Sequence, residues 1–394
     1  GRLRGRLILD DSGARLDLAM PPASQTMRGA ICRHLASGRT ATIVEFDPAS
    51  GRLAFEGDAS LSDGICEVDF GCAAPRLAMA IVLGISPIRI SEPCAVRIAT
   101  TRGTNALLEG RTARPLLVVD RGFADLLRIG DQTRPDLFAR SIEDRRPLHG
   151  PVIEVDLRRD ADGRPVDEAV QLDESALRRR LETLVLQGTD AAAIALLHAH
   201  RDPSAEERLR TVLGASGLRR VVCSTDLSRD AGLLERAETA VVDAALDAEI
   251  RDFIRSIASP DEPATVLALT SAGGLVEADR YRAAESLLSG PAGGAVGVSA
   301  VAQRLGLGAV IGFDMGGTST DVVRIDGAVP VAPRTRVAAT TLAAPCVAIH
   351  TVAAGGGSIC TIDGEGRLRV GPESAGADPG PACYGRGGPL TVTD

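Results

Sequence analysis

One segment, residues 309–327 with the sequence AVIGFDMGGTSTDVVRIDG, most constrains how this chain can fold. Its short apolar run at residues 309–313 predicts a strand, and residues 321–325 predict a second strand. Gly316 and Gly317 lie between the two runs, where we expect the backbone to turn at a point that would not accept a β-carbon. The segment therefore predicts a β-hairpin.

The predicted turn concentrates groups that bind phosphate and magnesium. Consecutive backbone N–H groups and the hydroxyls of Thr318, Ser319 and Thr320 form a row of donors suited to a phosphate. Asp314 and Asp321 flank the turn and could hold Mg²⁺ through oxygen, directly or through water. A plain hairpin with acids that cap its turn is the alternative. Two acids, two glycines and three hydroxyls within eight residues favour the phosphate interpretation.

Composition limits the classes of function. The 394 residues are enough for two or three domains, and the net charge of −8 comes with arginine but no lysine. Without lysine the chain can carry neither a P-loop lysine nor a Schiff-base lysine. The arginines are scattered and aromatic residues make up only 2%, so we expect no nucleic-acid partner.

The apolar runs and the cysteines bear on location. No apolar run approaches the roughly 20 residues of a membrane span, so we expect no membrane partner. Eight irregularly spaced cysteines without a Cys-x-x-Cys pair indicate reduced thiols and no local zinc site. We therefore predict a cytoplasmic protein. Because the sequence begins at Gly1 and stops just after an apolar run, we expect a piece of a longer chain.

Strand-like and helix-like segments alternate through the middle of the chain, after a β-rich beginning at residues 1–73. The patterns predict strands at 96–100, 116–119, 191–197, 221–224 and 265–271, and helices at 75–83, 101–109, 122–130, 173–186, 204–214 and 236–257. This alternation predicts an α/β fold. We place the best boundary between domains in the loop at residues 226–236.

Two further glycine-rich segments lie near the predicted hairpin. Residues 289–297, SGPAGGAVG, predict a helix start that Ser289 or Gly290 caps. Gly293 and Gly294 are poor helix formers, which indicates either tight packing or a ligand at the helix N-terminus. Residues 351–358, TVAAGGGS, predict a loop that can lie against a ligand.

Three segments carry weaker signals. Residues 100–105, TTRGTN, offer polar groups at a predicted strand end, although Thr104 or Asn105 could simply cap the next helix. Residues 371–384 predict a rigid loop whose alternative role is structural punctuation. His198 and His200 could form a metal pair, but no third ligand is apparent, so a polar strand end is the better interpretation.

Several motifs together resemble the hydantoinase A/5-oxoprolinase family. They occur in the family's order, at residues 100–109, 121–130 with 134–136, 289–294, 312–321, 352–358 and 371–384. Residues 1–95 are similar, more loosely, to the extended amino-terminal region of long, single-chain ATP-dependent 5-oxoprolinases.

The resemblance implies an α/β, actin-like ATPase (ribonuclease H-like) architecture, in which two related halves enclose a ligand cleft. Family members normally carry an amino-terminal hairpin similar to residues 314–321, which would lie upstream of Gly1. The family's second half also continues downstream, so we expect this fold to be incomplete at both ends. A separate hydantoinase B-like region or subunit cooperates in ring opening, so we expect the isolated chain to be inactive.

The resemblance also implies ATP-driven hydrolysis of a small cyclic amide, with 5-oxo-L-proline converted to L-glutamate as the leading reaction. Phosphorylation of the amide oxygen would activate a carbonyl that is otherwise a poor electrophile. Asp314 and Asp321 are then the catalytic residues and the Mg²⁺ ligands. The implied ATP-binding residues are Gly316, Gly317, Thr318, Ser319, Thr320, Gly355, Gly356, Gly357, Ser358, Gly293 and Gly294. The implied substrate-side residues are Thr101, Thr104 and Asn105.

Alternatives remain within and outside the family. N-methylhydantoin hydrolysis and ATP-dependent ketone carboxylation use the same family scaffold, and a sugar or acid kinase belongs to the same superfamily. A non-enzyme alternative is an ATP-regulated binding module with a protein client. We expect an amino-terminal region at residues 1–228, a second domain at residues 229–394, and a homo-oligomer.

Overall fold

The computed structural model describes residues 2–10, 13–19, 21–57, 61–87, 90, 93–133, 138, 140, 145–167, 169, 172–259, 261–337 and 340–394. The chain divides into two compact units. The first comprises Gly1–Arg97 with Arg251–Leu267, and the second comprises Ile98–Ile250 with Ala268–Asp394. The boundary predicted at residue 228 separates two domains as the family defines them, which is a different division from these compact units. That boundary stays a prediction.

The β-rich beginning of the chain forms a closed six-stranded barrel. Its strands are β1 (Arg2–Asp10), β2 (Gly13–Asp17), β3 (Ile31–His34), β4 (Thr40–Phe46), β5 (Arg52–Phe55) and β6 (Gly64–Asp69). The order around the barrel is β1-β2-β5-β4-β3-β6, and every neighbouring pair is antiparallel. Leu7, Ile43 and Val68 are fully buried in its core. Closure leaves no strand edge exposed, which removes a route to aggregation.

A short helix and a longer helix complete the first part of the chain. These are α1 (Ser24–Met27) and α2 (Ala74–Leu83), and strand β7 (Cys94–Ile98) follows. Pro75 lies in the first turn of α2, as the sequence predicts. Gly84 ends the helix with a φ of 68°. Arg76 of α2 and Glu262 form a buried ion pair in the same unit.

A parallel four-stranded sheet forms the centre of the second unit. Its strands are β8 (Leu116–Asp120), β9 (Val152–Val155), β10 (Ala191–Ala195) and β11 (Arg220–Cys223), in the order β11-β10-β8-β9. Apart from Asp120, Glu154 and Arg220 the strands are apolar, because helices cover both faces of the sheet. Leu116 and Val118 pack toward one face and Leu117 and Val119 toward the other.

The helices that follow are α3 (Arg102–Leu108), α4 (Leu126–Ile129), α5 (Glu174–Leu186), α6 (Ser204–Gly214), α7 (Leu233–Ile257) and α8 (Ser289–Arg304). The predicted α/β alternation is thereby confirmed. The helix predicted at 122–130 is reduced to the four residues of α4, because turns occupy residues 121–125. In α5, Leu177 and Leu181 are buried, but Leu186 at the last position is 89% exposed and contributes nothing to the core.

The remainder of the chain is mostly short strands. They are β12 (Ala264–Leu269), β13 (Leu275–Glu277), β14 (Ala309–Met315), β15 (Thr320–Asp326), β16 (Val331–Ala332), β17 (Thr335–Val337), β18 (Thr340–Leu342), β19 (Cys346–Val347), β20 (His350–Val352), β21 (Ser358–Ile362) and β22 (Leu368–Ser374). Strands β14, β15 and β20 form one sheet in that order. The first part of the loop predicted at 371–384 is thus the end of β22.

Two expectations about location can be compared with the structure. No helix in the described ranges combines the length and apolar character that a bilayer crossing needs. All eight cysteines are free thiols, as the sequence predicts. The cytoplasmic location itself stays a prediction.

Candidate functional site

The predicted hairpin is present as strands β14 and β15. Asp314 lies directly opposite Asp321 in the antiparallel register, and Met315 lies opposite Thr320. Residues 316–319 form the turn, which is closed by the Gly316 N–H donating to the Ser319 carbonyl at 2.9 Å. Gly312 allows helix α8 to pack on the hairpin, because a β-carbon there would lie 3.1 Å from Val298 Cγ2. The strands that carry the turn therefore pack against helix α8.

The two aspartates form a pair that suits a divalent cation. Directly opposite residues of an antiparallel pair point to the same face, and like charges in that position repel. Among the described residues, no arginine lies within ion-pair distance of Asp314 or Asp321, and no third acid, histidine or cysteine completes a metal cluster with them. Mg²⁺ is commonly held by one or two carboxylates together with phosphate oxygens and water. The residues present thus fit Mg²⁺ that arrives with a phosphate.

Thr351 of β20 orients one of these carboxylates. Its hydroxyl donates to Asp321 Oδ1 at 2.7 Å, and Thr351 is the register partner of Asp321. Asp314 lacks such a described partner and is exposed. The glycines of residues 351–358 predicted a ligand-binding loop but gave no role to this threonine, for which the available signal was its position just before the glycines.

The steric role of the glycines differs from the prediction. A β-carbon at Gly317 would meet nothing within 4 Å, and one at Gly316 would lie 3.5 Å from the Ser319 carbonyl. The expected clash within the turn is therefore wrong. A clash would occur instead in the glycine loop at residues 351–358. There a β-carbon at Gly355 would lie 2.6 Å from the Gly316 oxygen, and one at Gly357 would lie 2.9 Å from the Gly317 oxygen.

Close approach of the two backbones orients the polar groups of the turn. The N–H groups of Gly356 and Gly357 donate to the carbonyls of Gly316 and Gly317 at 2.8 and 2.6 Å. The turn carbonyls are thereby drawn toward the glycine loop. The N–H groups of Gly317, Thr318 and Ser319 donate to no acceptor among the described residues. Unpaired N–H groups of consecutive turn residues make an anion-binding surface.

Other predicted phosphate-side hydroxyls are engaged inside the site. Thr320 is buried and its hydroxyl donates to the Ala354 carbonyl at 2.6 Å. Ser358 is also buried, and its Oγ accepts the Gly355 N–H at 2.9 Å. The Thr320 bond fixes the glycine loop against the hairpin, and the Ser358 bond lies within the loop and fixes its shape. Thr318 is exposed and Ser319 half-buried, so their hydroxyls remain accessible.

The start of α8 adjoins the other predicted segment, residues 100–105. Ser289 Oγ donates to the Thr100 carbonyl at 2.9 Å instead of capping its own helix. The helix begins after Leu288, whose φ of 60° is left-handed, so the predicted cap at Ser289 or Gly290 is wrong. Thr104 Oγ1 accepts the Leu288 N–H at 3.1 Å.

The two glycines of α8 have separate roles. A β-carbon at Gly293 would lie 3.1 Å from Leu269 Cδ2, so this glycine serves close packing. Gly294 is exposed and a β-carbon there would meet nothing within 4 Å. The packing alternative is thus confirmed for Gly293, whereas a ligand at Gly294, which faces open space, stays a prediction.

The substrate-side candidates lie at the beginning of α3. Thr101 precedes the helix and its methyl group lies near Gly290, at 3.0 Å from the place of a β-carbon. Asn105 lies inside the helix and is exposed, like Thr101. Thr101 makes no side-chain cap, and the Arg102 N–H at the start of α3 donates to Thr100 Oγ1 at 3.1 Å, so the capping interpretation of Thr104 and Asn105 is wrong.

The carboxyl-terminal loop is held by the side chain of Asp394. This carboxylate accepts the N–H groups of Ala382, Cys383 and Thr391 at 3.1, 2.6 and 2.7 Å. Those bonds hold the pKa of Asp394 well below its usual range, and a hydrogen bond to Asp394 raises the pKa of the exposed Cys383 thiol. The predicted motif at residues 134–136 lies outside the described residues.

Comparisons with known proteins place this arrangement among related sequences. The "Hydantoinase/oxoprolinase" family model matches residues 236–394, and the "Hydantoinase/oxoprolinase N-terminal region" model matches residues 76–217. A 5-oxoprolinase of Pestalotiopsis fici is 39% identical over 329 residues, which cover 76% of this chain and 25% of that protein. The chain thus spans about a quarter of the length of the 5-oxoprolinases that it matches.

Caprolactamase subunit alpha of Pseudomonas jessenii is 33% identical over 368 residues, which cover 86% of this chain and 50% of that protein. The crystal structure of ATP-dependent caprolactamase from the same bacterium has a TM-score of 0.65 at 28% identity and covers 90% of this chain and 52% of that chain. A nucleotide-free acetone carboxylase structure has a TM-score of 0.61 at 21% identity, with 95% of this chain and 52% of that chain covered. The latter similarity concerns the fold alone.

Proposed function

Because this chain belongs to the hydantoinase/oxoprolinase family, we propose that it is the ATP-using part of a 5-oxoprolinase. The reaction is the ATP-dependent hydrolytic opening of 5-oxo-L-proline to L-glutamate. The relatives named 5-oxoprolinase support this choice of substrate.

One observation carries the proposal. The cross-strand pair Asp314 and Asp321 flanks a turn whose N–H groups at residues 317–319 have no described acceptor. An acidic pair beside free donors provides for both partners of a magnesium–phosphate complex. A hairpin with a purely structural role needs neither feature.

The side chains have separable roles in this proposal. Asp314 and Asp321 hold Mg²⁺ and a positioned water, and the turn N–H groups with Thr318 and Ser319 bind phosphate oxygens. When bound, ATP supplies the phosphoryl group that activates the amide oxygen of the lactam toward water. Gly355, Gly356 and Gly357 support the turn from behind, and the open surface at Gly294 lies on the nucleotide side.

The wider assembly follows from the family. We propose an actin-like ATPase architecture, with Thr101, Thr104 and Asn105 on the substrate side and with a division near residue 228. A hydantoinase B-like region or subunit completes ring opening, in keeping with the name "subunit alpha" of the caprolactamase relative. The protein is cytoplasmic and homo-oligomeric in this proposal.

Caprolactam, a second lactam, is the leading alternative substrate. The caprolactamase relative is similar over more of this chain than the 5-oxoprolinases are, at 86% against 76% coverage. Identity favours the 5-oxoprolinases of Pestalotiopsis fici and Saccharomyces cerevisiae, at 39% and 38% against 33%. N-methylhydantoin and ketone substrates use the same scaffold, whereas a binding module without turnover would need no lactam.

The test is substrate-stimulated ATP turnover by the full-length protein that contains this chain, together with its B-like region. ADP release is measured with 5-oxo-L-proline, caprolactam, N-methylhydantoin or acetone, and glutamate is measured in the same samples. We expect 5-oxo-L-proline alone to stimulate ADP release, with one glutamate formed per ADP. If another compound stimulates ADP release, that compound replaces 5-oxo-L-proline as the proposed substrate. If none of the four compounds stimulates ADP release, the enzyme proposal is refuted.

A further inference from the structure

The segment at residues 390–393 lies alongside the end of the glycine loop. Thr391 forms an antiparallel bridge with Ile359, and the Val392 N–H donates to the Ser358 carbonyl at 3.1 Å. Backbone pairing of this kind holds the two segments in a fixed register. The segment therefore forms an edge of the loop that supports the hairpin turn from behind.

Thr393 places two donors on one carbonyl of the glycine loop. Its N–H and its hydroxyl both donate to the Gly356 carbonyl, at 2.9 and 2.8 Å. A carbonyl oxygen has two lone pairs, so both are engaged by the same residue. A β-carbon at Gly356 would lie 2.7 Å from Thr393 Oγ1, so the glycine leaves room for this hydroxyl. Thr393 thus fixes the orientation of the Gly356 carbonyl.

The contact continues through two peptide groups to the hairpin turn. The Gly356 carbonyl shares its peptide group with the Gly357 N–H, which donates to the Gly317 carbonyl at 2.6 Å. The Gly317 carbonyl shares its own peptide group with the Thr318 N–H, which has no acceptor among the described residues. A peptide group is planar, so fixing its oxygen also fixes the direction of its N–H. Thr393 is therefore joined to a free donor of the turn.

Hydrogen bonds in such a chain strengthen one another. A donor on a carbonyl oxygen draws electrons toward that oxygen and makes the N–H of the same peptide group a better donor. The two donors of Thr393 act on the first peptide group, and the first group acts on the second. The Thr318 N–H is thereby both directed and polarised, and a polarised N–H binds an anionic oxygen more strongly.

A parallel chain of peptide groups leads to the neighbouring free donor. The Ser358 N–H donates to the Gly355 carbonyl at 3.0 Å, and the Gly356 N–H of that peptide group donates to the Gly316 carbonyl at 2.8 Å. This chain ends at the Gly317 N–H. It consists of backbone groups alone, whereas the first chain begins with a side-chain hydroxyl that a substitution can remove.

We propose that Thr393 is a positioning residue of the phosphate-binding turn, which acts on a bound phosphate through the peptide groups that end at the Thr318 N–H. The inference rests on the proposed role of the turn and adds a residue outside both the hairpin and the glycine loop. Thr393 is exposed, and every variant at this position keeps its backbone N–H. Loss of the hydroxyl should therefore weaken the chain of hydrogen bonds without unfolding the protein.

The test is ATP binding to the full-length protein in the presence of Mg²⁺, measured by titration calorimetry. Thr393→Val keeps the shape of the side chain and removes its hydroxyl. We expect this change to raise the Kd of ATP roughly threefold to tenfold, the range for loss of one neutral hydrogen bond. Thr393→Ser keeps the hydroxyl and should stay within about twofold of the wild type. Thr361→Val, at an exposed threonine of β21, is the matched control and should have no effect.

Steady-state kinetics separate positioning from a general loosening of the fold. A phosphate contact that is equally weakened in the ground state and the transition state raises the KM for ATP and leaves kcat unchanged. We expect this pattern for Thr393→Val with 5-oxo-L-proline as the substrate, together with a melting temperature close to that of the wild type. A lower kcat and a lower melting temperature with an unchanged KM would overturn the proposal.

The outcomes distinguish this inference from the proposed function. Wild-type affinity for ATP in Thr393→Val, or equal weakening in Thr393→Ser, would overturn the role of the hydroxyl even if the protein converts 5-oxo-L-proline to glutamate. ATP binding that depends on this hydroxyl, in a protein that does not open 5-oxo-L-proline, would support the inference and refute the proposed reaction. A wild-type protein that binds no ATP would overturn both.

Discussion

Asp314 and Asp321 are direct cross-strand partners, and a third residue orients only one of them. Thr351 donates to Asp321, while Asp314 has no described partner. The pair therefore joins a fixed carboxylate to a free one on the same face of the hairpin. Such an arrangement fits a cation that arrives with its own phosphate ligands, because the free carboxylate can adjust to it.

Thr351→Val tests the fixed half of the pair. Loss of the 2.7 Å hydrogen bond should leave Asp321 mobile and raise the Mg²⁺ concentration needed for ATP binding by roughly tenfold, which corresponds to about 1.4 kcal/mol. The measurement is a Mg²⁺ titration of ATP binding to the full-length protein. Thr361→Val, at an exposed position of β21, is the control and should have no effect.

Gly355→Ala tests the contact between the glycine loop at residues 351–358 and the hairpin turn at residues 316–319. A β-carbon would lie 2.6 Å from the Gly316 oxygen, and 2.7 Å from both the Gly317 carbonyl carbon and the Thr318 nitrogen. All three atoms are backbone, so relief requires that the turn moves. We expect a loss of about 1–3 kcal/mol in stability, measured by thermal unfolding, together with weaker ATP binding. Gly364→Ala, where a β-carbon meets nothing within 4 Å, should be nearly neutral; equal effects of both changes would rule out the steric argument.

Asp120→Asn should stabilise the protein at neutral pH. Burial raises the pKa of Asp120, opposed by the Leu197 N–H, Arg158 and His198 and reinforced by Glu206. The folded state therefore binds more protons than the unfolded state once the pH exceeds about 3.9, the ordinary value, and stability falls as the pH rises from there to the raised pKa. The variant lacks this dependence, so its melting temperature should exceed that of the wild type at pH 7 and converge with it near pH 3.5. The exposed Asp162→Asn should show neither effect.

The ion pair of Arg76 and Glu262 gives the opposite pH dependence. Arg76 donates to Glu262 at 2.9 Å, and this bond, with the Ser259 and Ile90 N–H groups, outweighs burial and lowers the pKa of Glu262 to about 2. Stability from this group is present above the ordinary pKa of 4.5 and is lost as the pH falls through that of the folded state. We expect a loss of about 3 kcal/mol over this window.

Glu262→Gln checks this prediction by urea unfolding at pH 6 and pH 2.5. The variant should be less stable at pH 6 because Arg76 loses its buried partner, and its stability should change less than that of the wild type between the two pH values. An identical pH dependence in both proteins would show that other carboxylates govern acid unfolding.

Local patterns predicted much of the fold. A serine with acids after it was enough to place α6 at residues 204–214, and short apolar runs on either side of two glycines placed β14 and β15, because such signals act locally. The barrel closure of residues 2–69 was not predictable, since the pairing of β1 with β6 depends on contacts distant in sequence. The length of α4 also escaped prediction, because turns compete with helix over residues 121–125.

The sequence predicted which residues form the candidate site, but not how these residues contact one another. Asp314, Asp321 and the glycines were named from the sequence, yet the close approach of Gly355 to Gly316 joins two segments about 40 residues apart and leaves no local pattern. The hydroxyls of Thr320 and Ser358 were assigned to the nucleotide, and the structure directs both into the glycine loop.

The most direct test of the central claim compares two aspartates of the same hairpin. In the full-length protein, ADP and glutamate formation from 5-oxo-L-proline is measured for the wild type, Asp314→Asn and Asp326→Asn. Asp326 lies at the far end of β15 and is exposed, so its variant controls for charge and folding. We predict that Asp314→Asn lowers both products in parallel by at least a hundredfold, while Asp326→Asn stays within twofold of the wild type. Wild-type rates in Asp314→Asn would contradict the assignment of the hairpin as the site of magnesium and phosphate binding.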